Sequence, residues 1–167
     1  MDWSKIEILL QIIGSLAVVV SVIYLAKQVK DGTKNLKTSM RNSSFNSLMD
    51  WNYAIMADSE LAWIFQYGCK DFESMNKLQK ARFVHVMYSF FKLFENIYLH
   101  YLDNSIPKDV WENNRKIFEA YLVTNGAQHY WELRRPIFHP KFQGYIKGIE
   151  NSEVPAGHII SDNESKP

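Results

Sequence analysis

Apolar residues run almost unbroken from Ile6 to Ala26, IEILLQIIGSLAVVVSVIYLA, and no other stretch of the chain repeats that pattern. At about 1.5 Å per helical residue the run covers roughly the 30 Å hydrocarbon core of a bilayer. A helix is expected, because a single strand would leave its backbone polar groups unsatisfied in lipid. A cleavable leader would need a basic start, a shorter apolar run and a small-x-small cleavage site. The chain instead begins Met1-Asp2-Trp3-Ser4-Lys5 and leaves the run through Leu25-Ala26-Lys27-Gln28. The expectation is an uncleaved transmembrane helix over residues 6–26, with residues 1–5 as a short extracytoplasmic N-terminus. The core helix of a soluble protein is the alternative.

Within this run the polar positions are ordered. At 100° per residue Glu7, Gln11, Gly14, Val18 and Ser21 fall in one sector, with Ser15 at its edge. Polar and small side chains on an otherwise Leu/Ile/Val cylinder favour a neighbouring helix over lipid, so homo-oligomerisation through this face is expected. A pore lined by Glu7 and Gln11 is a further version. Helix association alone is the simpler reading, since Glu7 lies within reach of the headgroups.

Past the run the pattern becomes helical and shorter in reach. Residues 27–44 are polar and read as a basic juxtamembrane helix or linker, with Asp31-Gly32 as a candidate hinge. Phe45, Leu48, Met49, Ile55 and Met56 then mark one face of a helix that can continue from the anchor. Asp58-Ser59-Glu60 offers a stop and a new N-cap, and a short helix is expected through Tyr67, ending at Gly68. Ser74-Met75-Asn76 caps a long central helix, about Lys77 to Leu102. Its Arg82, His85, Ser89, Lys92, Asn96 and His100 gather on one side, and Phe83, Met87, Phe90, Phe91, Phe94 and Tyr98 on the other. Pro107 opens the next helix, marked by Val110, Trp111, Ile117, Phe118, Tyr121 and Leu122 and ending at Asn125-Gly126. Ala127–Arg135 is a fifth helix closed by Pro136, and 140–148 forms a last turn or two. Residues 151–167 carry no periodicity and read as a disordered tail. No segment alternates as a strand does. The predicted class is therefore all-α: one N-terminal transmembrane helix followed by a cytoplasmic helical bundle over 45–150.

Charge fixes the expected orientation. Lys27, Lys30, Lys34, Lys37 and Arg41 follow the span and only Lys5 precedes it, which by the positive-inside rule places the C-terminal part in the cytoplasm. Trp3 and Tyr24 suit the two interfaces. The implied site is the bacterial inner membrane, crossed once, N-terminus out. Lys27, Lys30, Lys34 and Lys37 are candidate contacts for anionic headgroups. The chain has 167 residues, 19 basic and 18 acidic, a net charge of +1, so it presents no strongly basic surface for a nucleic acid duplex. A single cysteine, Cys69, excludes an intramolecular disulfide and suits a reducing cytoplasm.

Candidate chemistry is sparse. Glu95 sits at helical angles among Val84, Tyr88, Phe91, Leu99 and Leu102, and a buried carboxylate must be paired or neutral. Arg134 and Arg135, behind Trp131, are its expected partners, with Arg82 a second choice. Such a pair walled by Trp111, Trp131 and Tyr98 would hold a small anionic or planar ligand; as a structural ion pair it would fix helix register, and that reading carries more weight. The histidines His85, His100, His129, His139 and His158 show no ligand spacing, so no metal is expected. No nucleophile elbow, phosphate loop or dinucleotide motif is present, and no cofactor or enzymatic activity is expected. His85 and Ser89 form an i, i+4 pair without a third orienting group.

Several short motifs carry a resemblance: Tyr-Leu-Ala-Lys-Gln (Tyr24 to Gln28), Asp-Ser-Glu-Leu-Ala (Asp58 to Ala62), Leu-x-x-x-x-Arg-Phe (Leu78, Arg82, Phe83), Phe-Glu-Asn-Ile-Tyr (Phe94 to Tyr98), then Trp111, Trp131-Glu132 and Arg135. In this order, from about Glu7 to Ile149, the chain resembles a widespread family of small, uncharacterised bacterial proteins with one N-terminal membrane helix and a helical cytoplasmic domain. The resemblance implies no assigned activity. Two functional expectations follow. The first is a membrane sensor or effector whose helical domain responds to a ligand or partner, a membrane-permeabilising defence protein being one version. The second is a non-conducting scaffold or accessory subunit that tethers a partner protein.

Overall fold

The computed structural model describes residues 3–150. It contains six α-helices and one 3-10 turn, and no strand among the described residues. The expected disordered tail, 151–167, lies outside them.

Helix α1 runs Trp3–Met56. Asp31-Gly32 does not interrupt it: one glycine costs a helix about 1 kcal/mol, too little to break a segment with good helix formers on both sides. The chain divides into two units between Ser39 and Met40, inside α1. The first unit is helical from Trp3 onward and carries its apolar side chains bare. Leu10, Val18, Val20 and Ile23 are all exposed. This helix is long and apolar enough to cross a membrane, with none of its most apolar window buried.

The second unit begins with the end of α1, which stops where Asp58 takes over as N-cap of α2, Ser59–Lys70, by accepting the Leu61 N–H at 3.0 Å. Helix α3, Lys77–Leu102, starts at Asn76 with a reciprocal capping box: Asn76 Oδ1 accepts from Gln79 N–H and Gln79 Oε1 from Asn76 N–H, both at 3.0 Å. It ends at Asn104, whose φ of 55° is the left-handed cap conformation that Asn tolerates best after Gly. The Ser105 and Asn104 N–H groups fold back onto the His100 and Tyr101 carbonyls there. Helix α4, Lys108–Leu122, follows Pro107 directly. Helix α5, Asn125–Arg134, is capped by Thr124, the turn Arg135–Ile137 contains Pro136, and α6 is Pro140–Glu150.

Two expected boundaries are corrected. Gly68 does not end α2 and Gly126 does not end α4, because both glycines mark a helix contact. A Cβ on Gly126 would overlap the Gly68 carbonyl oxygen, and one on Gly68 would strike the Phe83 ring and come within 2.8 Å of the Met75 methyl. Both glycines lie inside helices because only a missing side chain lets α2, α5 and the Phe83 ring of α3 meet.

Helix α3 is central, packing against α2, α4, α5 and α6. Its Phe90 touches the rings of Trp51, Phe65, Phe94, Phe118 and Tyr121, and its Phe91 those of Tyr130, Trp131 and Phe138. Each fully buried ring contributes roughly 2–3 kcal/mol by removal from water, and suitably tilted pairs add about 1 kcal/mol. A second cluster of Ile97, Ile106, Val110 and Trp111 gathers Met40, Tyr98, Tyr101 and Tyr145.

The face that α1 gives to this core is rotated from the expected one. Leu48, Trp51 and Ile55 pack inward with buried Ser44, whereas Phe45 and Met56 stand 60% and 68% exposed. An i, i+4, i+7, i+11 set from Ser44 holds the bulkiest ring of the segment, Trp51, so burial follows it in place of Phe45.

Candidate functional site

Glu95 is buried as its neighbours on α3 predict, at 7% exposure, but its partners are not arginines. Lys92 Nζ, one turn earlier on the same helix, reaches Glu95 Oε2 at 2.6 Å, and the His139 N–H donates to Oε1 at 2.5 Å. The same ammonium donates to the Ile137 carbonyl at 3.3 Å and lies 4.7 Å above the Phe138 ring. An i, i+3 lysine needs no second element to deliver its charge, and the chain entering α6 supplies a backbone donor. Arg134 and Arg135 therefore stay exposed in water, where guanidinium hydration is kept. Arg82 is held elsewhere.

The expected aromatic wall is divided as well. Trp131 packs on Phe91 and Phe138, while Trp111 packs with Tyr98, Tyr101 and Tyr145 in the second cluster. Beside Trp111, the Tyr145 hydroxyl donates to Glu119 at 2.8 Å, and Arg115 holds Glu112 and Glu119. Burial first, then that bond to a carboxylate, pushes the Tyr145 hydroxyl far above its usual range. Glu95 thus pins the approach to α6 onto α3, each of its carboxylate oxygens accepting one bond.

An open groove lies elsewhere in the second unit, where α1, α2 and α3 meet. Trp51, Ala54 and Ile55 of α1, Leu61 of α2, and Arg82, His85, Val86 and Ser89 of α3 line a volume of about 400 Å³, within the usual range for small-ligand pockets. Arg82 forms its polar wall, with Asp58 Oδ2 at 2.8 Å and Glu60 Oε2 at 2.6 Å. The Leu61 N–H, and after it the Arg82 guanidinium, lower the Asp58 carboxyl below its ordinary value, and the bond to Glu60 raises Arg82. Ser89 Oγ donates to the His85 carbonyl at 3.1 Å. The pair therefore has the geometry of a helical back-bond rather than of a nucleophile and its base.

The helical pattern puts Arg82, His85 and Ser89 on one side of α3, and Trp51, Ala54, Ile55, Leu61 and Val86 join them only in the fold. The available signal was Trp51 at i+3 from Leu48 with Ile55 at i+4 beyond it.

In the first unit Glu7, Gln11, Gly14, Ser15, Val18 and Ser21 are exposed. The Ser15 and Ser21 hydroxyls donate to the Gln11 and Ala17 carbonyls at 2.8 and 2.7 Å, which leaves their oxygens as acceptors. Ile8, Gln11, Ile12, Ser15, Leu16 and Val19 line a shallow depression on the helix surface. Lys27, Lys30, Lys34 and Lys37 are exposed. Among the described residues no three His, Cys, Asp or Glu side chains gather as a metal site requires. Cys69 is buried, and burial pushes its thiol up to about 12.

Comparison with protein-family models, with characterised proteins and with solved structures finds no match for this chain.

Proposed function

We propose that this is a single-span protein of the bacterial inner membrane, N-terminus out, whose cytoplasmic helical bundle senses a ligand or partner and whose span self-associates. The observation that carries the reading is the bare apolar surface of α1, none of whose most apolar window is buried. At roughly 25 cal/mol per Å² of apolar surface, such a helix left in water is costly, and lipid or another helix removes the cost. The side of the membrane rests on Lys27, Lys30, Lys34 and Lys37, which also meet anionic headgroups. Self-association rests on Glu7, Gln11, Gly14, Ser15, Val18 and Ser21. The bundle is the responsive part because its groove includes Trp51 and Ile55, residues of the same helix that supplies the span.

Reporter fusions and cross-linking test this. Alkaline phosphatase fused after Ile149 is expected to be inactive and a fluorescent protein fused there to be active, with the chain resisting alkaline extraction from membranes. Gly14→Ile is expected to lower the yield of cross-linked oligomer. Release by alkali would sink the span, and a cross-linking pattern unmoved by Gly14→Ile and Gln11→Leu would sink the interface. Dye leakage from liposomes on oligomerisation would add the permeabilising effector version; tight liposomes would remove it.

A second reading, a non-conducting scaffold, is favoured by one observation: Phe45, Tyr53 and Met56 are exposed on α1, at spacings that put them on one side of the helix. A partner protein covering them would make Phe45→Asp abolish its capture without changing the membrane fraction.

A further inference from the structure

We propose that α1 pairs with a second copy of this chain as a parallel two-stranded coiled coil whose seam, Val18, Val22, Leu25, Val29, Gly32 and Leu36, runs out of the membrane into residues 27–39. The proposal rests on the reading of α1 as a self-associating span, and it names where that association continues and what it joins.

Spacing sets the geometry. Those six residues follow one another at intervals of 4, 3, 4, 3 and 4, the alternation that keeps one side of a helix turned to a neighbour. Val22 and Val29 take the a positions of this repeat and Leu25 a d position, the arrangement that favours two parallel strands. Val29 and Leu36 are the only large apolar side chains in 27–39, and they stand 62% and 58% exposed. Past the apolar run they face water, and the same side chains of a second copy would cover them.

The glycines of α1 agree with a close neighbour. Gly14 and Gly32 stand eighteen residues, or five turns, apart and so lie on one line along the helix. A Cβ at either would meet nothing within 4 Å, so the chain's own packing requires neither, in contrast to Gly68 and Gly126. A second backbone running along that line gives both a reason.

Charge selects the occupant. Lys27, Lys30, Asp31, Lys34 and Lys37 all fall at the b, c and f positions, turned away from the seam. The flanking e and g positions are Ala26, Gln28, Thr33 and Asn35, all uncharged. Two parallel copies therefore meet without opposing their lysines. A partner of different sequence is ordinarily chosen through charges at e and g, and here there are none to read. Insertion into one membrane already makes two copies parallel and in register. Only Val29, Gly32 and Leu36 of the seam lie beyond the apolar run, so this end of the pair opens more readily than the bundle core.

The test is oxidative cross-linking of the full chain in membrane vesicles, with cysteine placed at exposed positions of α1 and the native chain, whose Cys69 is buried, as background. Val29→Cys and Leu36→Cys are each expected to give at least about fivefold more disulfide-linked dimer than Lys30→Cys or Lys34→Cys, which face away. The double variant Val29→Cys, Leu36→Cys is expected to stop at the dimer. Adding Leu36→Glu is expected to lower the Val29→Cys yield about fivefold or more with the membrane fraction unchanged, whereas adding Lys34→Glu should leave it within about twofold. Equal yields at positions 29, 30, 34 and 36, as lipid covering the seam would give, overturn the proposal. So does a ladder of larger species from the double variant, or a Val29→Cys yield unmoved by Leu36→Glu. Gly14→Ile and Gln11→Leu report on the span and these positions on the stretch beyond it, so either interface can fail with the other standing.

Discussion

Glu95 ties the chain entering α6 to helix α3. Its carboxylate takes a lysine from its own helix and a backbone N–H from the chain entering α6. Truncation to alanine leaves that N–H and the Lys92 ammonium without their acceptor, and Glu95→Ala is expected to cost about 2–3 kcal/mol in denaturant unfolding. Glu95→Gln, which keeps one acceptor oxygen, should cost less. Arg135→Ala, at an exposed position outside the pair, should change stability by no more than about 0.5 kcal/mol. A loss for Arg135→Ala as large as for Glu95→Ala would restore the arginine pairing. Asp58 carries a second prediction. Its folded carboxyl titrates below the ordinary value of 3.8 because it caps α2 and faces Arg82. A depressed carboxyl gives stability that is complete above the unfolded value and is lost as pH falls through the folded one. Acid unfolding followed by circular dichroism should therefore be steeper below about pH 4 in the native chain than in Asp58→Asn, which can still cap but cannot titrate. Identical acid limbs would show that the cap, not the charge, is what matters.

At the scale of elements, the tightest constraint is the meeting of α2 and α5 at two glycines. Gly126→Ala places a methyl group against the Gly68 carbonyl, a backbone atom that cannot swing aside, and is expected to destabilise by about 3 kcal/mol. A Gly126→Ala variant that melts like the native chain would mean the helices part without cost. The same contact shows what the sequence could and could not convey. The bounds of α3 are readable because Ser74-Met75-Asn76 offers a cap and because its phenylalanines recur on one side. Gly68 and Gly126 read as helix ends, since a glycine needed for close approach looks in sequence like one needed for a turn. Burial of Glu95 is readable from its angular neighbours, but its partner is not: Arg134, Arg135 and Arg82 are the expected cations, and the fold instead brings Lys92 of the same helix to the carboxylate. The groove was half readable, its α3 side from Arg82, His85 and Ser89, while its α1 side depended on a rotation that Trp51 sets. A stripe containing Phe45, Leu48, Met49, Ile55 and Met56 fits one helical face nearly as well as the one that is buried.

At the scale of the whole molecule, two units meet opposite solvent demands. The second satisfies its apolar residues internally through Phe90, Phe91 and their neighbours, while the first displays Leu10, Val18 and Ile23. A chain of this kind is expected to need detergent or lipid to remain dispersed, and removing residues 1–39 should remove that need, as light scattering of the two forms would register. Equal solubility of both would count against a membrane role for the first unit.

One stretch belongs to neither demand. From Lys27 to Ser39, α1 is exposed at every position, so its coils are held by their own backbone bonds and by two threonine back-bonds, Thr33 to Val29 and Thr38 to Lys34. A dozen residues of polar helix are only marginally stable by themselves, and opening there breaks no packing. Amide hydrogens between Lys30 and Ser39 should exchange with deuterium orders of magnitude faster than those of Phe90 to Phe94, and trypsin should cut first at Lys30, Lys34 or Lys37. Protection equal to that of α3 would require a neighbour seated on this stretch. If exchange is fast, Asp31-Gly32 acts as a hinge in time although it is none in shape.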